Sequence, residues 1–179
     1  MLLSKTNGLR AALFCAAISL ATAGCQVRPL YSDSAPNAAG VTTNAALNSI
    51  AIKDVDSRVA QEVRNQLIFA LSGGAGEPAS PAYTLDLGIT SQTVSAASIQ
   101  NAKGNAGQPT AGRIVMSSLY ILTDASGRQV ASGKRVATAS FDFPLQQFAS
   151  LRAQRDAENR AARELADMLK LALAADLSR

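Results

Sequence analysis

The chain has 179 residues, 47% hydrophobic, 17% charged and 4% aromatic, with a formal net charge of +4 and no histidine. That length suits one domain of ordinary size plus a leader and a tail, and so mild a basic excess gives no argument for nucleic acid. Without histidine there is no imidazole base and no Ser-His-Asp or Cys-His pair, and two cysteines cannot build an all-cysteine zinc site. Only carboxylate or lysine chemistry is left for an enzyme.

The N-terminus reads as a leader. Lys5 and Arg10 make a positive start without an acidic residue, and residues 11–23 are uncharged. That stretch is too short for a bilayer-spanning helix, which needs about 20 residues, and it matches the apolar region of a signal peptide. Gly24 and then Cys25 follow. Small residues ahead of a cysteine resemble a bacterial lipoprotein signal, in which the leader is cut before the cysteine and the cysteine is acylated. Thr22 stands where leucine is usual in that pattern. The expected divisions are a signal peptide over 1–24, a lipidated N-terminus and flexible tether over 25–46, and a folded domain over 47–179. Gln26, in place of aspartate, implies sorting to the outer membrane under the same resemblance.

Residues 32–46 carry one charge, no aromatic and no periodicity, and are expected to be a tether. Ile50 and Ile52 alternate in a short strand over 49–55. Asp56 or Ser57 can cap a helix whose apolar stripe is Val59, Val63, Leu67, Ala70 and Leu71. Gly73-Gly74 ends it. Tyr83, Leu85, Leu87 and Ile89 alternate with polar residues in a second strand that continues to about Ile99. Residues 101–110 are a polar turn. A third strand over 113–123 places Ile114, Met116, Tyr120 and Leu122 on one face.

A tight turn over 124–127 leads to a fourth strand over 130–143, and Pro144 stops it. The last helix, from about Phe148 to Leu177, has Ala157, Ala161, Leu165, Met168, Leu169, Ala172 and Leu173 on its inner stripe. Asp156–Arg160, Arg160–Glu164 and Arg163–Asp167 are opposite charges four apart on its outer side. The order β-α-β-β-β-α, with a meander and two apolar helical stripes, predicts an α+β two-layer sandwich with both helices on one face of a four-stranded sheet. The other sheet face, read as alternating Thr, Ser, Asp and Gly, is free for water or a partner.

Three stretches together resemble the LPS-assembly lipoprotein LptE family, particularly its alphaproteobacterial branch. They are Gly24-Cys25-Gln26-Val27-Arg28-Pro29-Leu30-Tyr31, Arg58-Val59-Ala60-Gln61-Glu62-Val63-Arg64-Asn65-Gln66-Leu67, and Arg155-Asp156-Ala157-Glu158-Asn159-Arg160-Ala161-Ala162-Arg163-Glu164-Leu165-Ala166. The resemblance implies an outer-membrane, lipid-anchored protein, not an enzyme and without a cofactor. It implies assistance to assembly of the LptD β-barrel and to delivery of lipopolysaccharide to the surface. The alternatives are an auxiliary lipoprotein of another lipid-transport system and a periplasmic hydrolase with Lys134 as base. No Ser-x-x-Lys stands at a helix start to support the hydrolase.

Candidate residues follow from that reading. Cys25 is the lipidation site. Lipopolysaccharide carries phosphates, which basic side chains hold through charge-assisted hydrogen bonds. Lys103 and Arg113 flank the expected hairpin tip, and Arg152 and Arg155 open the last helix. The tip is expected to project into the barrel lumen, with no apolar side chain larger than alanine.

Overall fold

Two hydroxyl caps start the first two helices among the described residues. Thr42 accepts from the Ala45 amide at 3.3 Å and opens α1 (Thr43–Asn48), and Ser57 accepts from Ala60 at 3.1 Å and opens α2 (Arg58–Ser72). They belong to a computed structural model that describes residues 40–98, 109–144 and 146–178. β1 (Ile50–Ile52) lies between them; β2 (Tyr83–Ser98), β3 (Pro109–Asp124), β4 (Gln129–Asp142) and α3 (Gln147–Leu177) follow. α2 ends at Gly73, whose φ of 61° is a left-handed conformation that favours glycine.

Some boundaries differ from the sequence reading. α1 takes over the last residues of the expected tether, because Ala46 and Leu47 are buried against the core. Pro109 and Thr110, read as turn, begin β3. Proline is tolerated at a strand's first residue. β1 is shorter than the 49–55 expected. Of the three charge pairs expected on the last helix, only Asp156–Arg160 closes among the described residues, at 2.8 Å.

The sheet order is β1-β2-β3-β4. β1 runs parallel to β2, with Ile50 opposite Tyr83, so α2 is the crossover between them; the other pairs are antiparallel. Alternation along each strand sends Leu85, Leu87, Ile114, Met116, Tyr120, Leu122, Ala137, Ala139 and Phe141 to one face. There they meet Val63, Leu67 and Leu71 of α2 and Leu165, Leu169 and Leu173 of α3. The α+β two-layer arrangement, with the two long helices sharing one sheet face, is the predicted one.

Two contacts set the direction of α3 across that face. Gln154 reaches Thr93 of β2 at 3.5 Å near the start of the helix, and Asp176 accepts from the Tyr120 hydroxyl at 2.8 Å near its end. Two glycines make room for aromatic rings in the same layer. A Cβ at Gly112 would lie 2.7 Å from the Phe143 ring and 2.8 Å from that of Phe141, and one at Gly133 would lie 2.8 Å from the Tyr120 hydroxyl. The Phe141 and Phe143 rings meet edge to face, 4.8 Å apart.

Candidate functional site

With one sheet face sealed, the opposite face is open. Its rows follow from the strand register. Asp86, Ile121 and Ser132 lie side by side, then Gly88, Leu119 and Lys134, then Thr90, Ser117 and Val136, then Gln92, Val115 and Thr138, then Val94, Arg113 and Ser140. The Oγ atoms of Thr90 and Ser117 are 2.9 Å apart, and Lys53 pairs with Asp86 at 2.7 Å at the rim. This face is less polar than its Thr, Ser, Asp and Gly residues suggest. Leu119 is 61% exposed, Ile121 45% and Val136 43%.

Leu119 and Ile121 are adjacent on one side of β3, and Val136 is a diagonal neighbour of Leu119, a separation of about 7 Å that apolar side chains can bridge. Contiguous exposed apolar groups rimmed by charge mark an interaction surface rather than a solvated one. The signal was in the sequence. Leu119-Tyr120-Ile121-Leu122 is apolar without alternation, which a strand buried on one face alone does not require.

The basic candidates are not gathered. Cys25 and Lys103 lie outside the described residues, as do positions 101–108 of the expected tip. Arg113 is exposed, and alternation with the buried Ile114 puts it on the open sheet face. Arg152 and Arg155 are exposed on the first turns of α3, in the helical layer across the sheet. The spacing Phe148, Leu151, Arg152, Arg155 is one helical stripe. Phe148 is 84% exposed, so this stripe joins an aromatic ring to two cations.

Among the described residues Asp124 is the one carboxylate with a clearly altered acidity, and it opens the β3–β4 turn. The Ser126 hydroxyl, at 2.5 Å, is the largest influence and lowers its pKa; desolvation opposes it. The Arg128 amide and guanidinium and the Ser126 amide lower it further, to about 2. Among the described residues no group of acidic or sulfur side chains is placed to hold a metal ion, and no helix is long and apolar enough to cross a membrane.

Helices on one face and a bare, apolar-striped sheet on the other define a two-layer α+β module with one broad surface free for a partner. The chain belongs to the LptE family, described as lipopolysaccharide-assembly, whose model matches residues 46–173. Among solved structures, a Caulobacter crescentus protein assigned as a lipoprotein is 29% identical. The match has a TM-score of 0.60 and covers 75% of this chain and 95% of that one. A minor lipoprotein from Acinetobacter baumannii (14% identity, TM-score 0.50, 71% and 89% covered) and the rare lipoprotein B from Shewanella oneidensis (11%, 0.51, 70% and 92%) share the fold. No curated protein matches the chain.

Proposed function

We propose that this chain is an outer-membrane lipoprotein, anchored through acylated Cys25, that assists assembly of an LptD-type β-barrel and delivery of lipopolysaccharide to the cell surface. The family match supports the lipopolysaccharide role. The lipoprotein start of the sequence supports the anchor, as does the description of the Caulobacter crescentus relative. One observation carries the partner assignment: the sheet face bearing Leu119, Ile121 and Val136 is covered by nothing within the described chain. A large barrel offers a wall of mixed polarity that such a face can meet.

Lipopolysaccharide is an amphiphile with phosphates and acyl chains. The α3 stripe has the matching parts, with Arg152 and Arg155 for phosphate and Phe148 and Leu151 for hydrocarbon. Arg113 and Lys103 remain candidates for a separate phosphate contact near the β2–β3 connection. Binding through these cations should weaken as salt rises, because salt screens charge pairs formed at a protein surface.

The test places a photo-crosslinking residue at Leu119 or Ile121 and purifies the protein from mildly solubilised outer membrane. Adducts to a large β-barrel protein present in about equal amount are expected. Their absence, with an inner-membrane permease recovered instead, would overturn the reading. For the ligand contact, Arg152→Glu with Arg155→Glu is expected to lower lipopolysaccharide binding at least tenfold at low salt. Unchanged binding removes these arginines from the assignment.

A further inference from the structure

β1 spans 3 residues and β2 spans 16, so β1 covers the edge of β2 only from Tyr83 to Leu85. The Lys53 amide donates to the Leu85 carbonyl at 2.9 Å, so the odd-numbered residues of β2 point their backbone groups away from β3. Beyond β1 these are Leu87, Ile89, Ser91, Thr93 and Ser95. Among the described residues their N–H and C=O groups have no hydrogen-bond partner.

The two terminal edges of the sheet are handled differently. On β1, Glu77 accepts from the Ile52 amide at 2.9 Å, while Arg64 donates to the Ile52 carbonyl at 3.1 Å and to Glu77 at 2.8 Å. On β4, Arg135 donates to the Lys134 carbonyl at 2.8 Å and Arg160 to the Ser140 carbonyl at 2.9 Å. Charged side chains there occupy backbone groups that would otherwise recruit a strand. Residues 87–95 contain no charged residue and no proline. Side chains thus occupy part of the outward backbone on both terminal strands, two carbonyls in the case of β4, whereas the β2 edge from Leu87 to Ser95 carries no such contact among the described residues.

We propose that the edge of β2 from Leu87 to Ser95 receives an extended segment of the outer-membrane partner, added as a fifth strand. Donors and acceptors repeating every second residue, about 6.8 Å apart, are complementary to extended polypeptide. The partner's identity rests on the function proposed above. Gly88, Thr90 and Val94 are next to the β3 residues of the open face, so an added strand continues the surface assigned to that partner. A closed barrel has no free edge to offer. The segment must come from a part of the partner outside its barrel wall.

Ser91 allows a clean test. Its amide points to the free edge, so Ser91→Pro removes an outward donor and leaves the β2–β3 ladder intact, whereas Gln92→Pro would break that ladder. In the full chain co-expressed with its barrel partner, Ser91→Pro is expected to lower the recovered barrel at least tenfold, with Ser91→Ala unchanged. The double variant Ser91→Lys with Ser95→Lys should do the same and serves if the proline variant does not fold. A photo-crosslinker at Ser91 should give adducts mapping outside the barrel strands. Wild-type recovery of the barrel by the folded edge variants, or adducts joining two copies of this chain, would overturn the proposal. Adducts from Leu119 with none from Ser91 would overturn the edge pairing and leave the proposed function standing; silence at both would end both.

Discussion

The Tyr120 hydroxyl donates to Asp176 at 2.8 Å, tying the inner face of β3 to the last turn of α3 across 56 residues of chain. The ring has room because Gly133, its cross-strand neighbour on β4, lacks a side chain, and the Arg135 guanidinium stands 5.8 Å from the ring centroid. A helix of 31 residues is thus held to the sheet by a polar contact at its far end and by leucines along its length.

Tyr120→Phe keeps the ring and loses one hydrogen bond, with an expected cost of about 1–2 kcal/mol. Gly133→Ala instead places a Cβ against the Tyr120 hydroxyl and ring, and should cost about 1–3 kcal/mol through overpacking. Thermal melts check both. The double variant Tyr120→Phe with Gly133→Ala should be non-additive, since the two changes meet at one contact.

Leu67 on α2 and Leu165 on α3 are both fully buried in the shared core. Truncating either to alanine leaves a cavity and is expected to cost about 2–5 kcal/mol. That is a large share of the roughly 5–15 kcal/mol by which a domain is stable. Chemical denaturation should show the midpoint falling for both, with the slope unchanged.

Asp124 predicts a pH dependence with a definite sign. Its pKa falls from 3.8 to about 2 on folding, so the ionised form favours the folded state. The contribution is fully present above pH 4 or so and is lost as pH falls through about 2. An NMR titration of its carboxyl carbon gives the folded value directly. Asp124→Asn should remove this part of the acid sensitivity and speed amide exchange at Ser126 and Arg128, which donate to it.

Under the lipid-anchored function proposed above, Cys25→Ser is expected to abolish acylation, because Gly24-Cys25 matches the lipoprotein processing pattern. Intact-mass measurement of membrane-extracted protein is the check. Acyl mass retained on the variant, or a mature N-terminus elsewhere, would end this assignment. The domain itself should still fold, since its described core draws on residues from Ala46 onward.

Local chemistry made much of this architecture legible in the sequence. The Ser57 cap, the Gly73 stop, and the alternation of Leu85 with Asp86 and of Ile114 with Arg113 act over a few residues, so spacing exposes them. Most of the inner stripe of each long helix followed from the same periodicity, but Ala70 and Met168, expected on those stripes, are only half-buried and lie outside the core. The family resemblance agrees with the match over residues 46–173. α1 escaped notice because a helix of 6 residues has too few positions to show a period.

The remaining decisions belong to tertiary structure. Periodicity says which side of a strand is apolar, but not which strand lies beside it. The parallel placement of β1 against β2 emerged only when both helices needed the same face. Packing of both long helices on one face put Arg113 across the sheet from Arg152 and Arg155, and it exposed Leu119, Ile121 and Val136 together. The β2 edge stays mostly bare because β1 is short. Backbone direction at an edge depends on pairing with a distant strand, and side chains that share a face come from segments far apart in the chain. Local periodicity marked the longer elements and most of their buried faces; the packed sheet decided which surfaces remain for a partner.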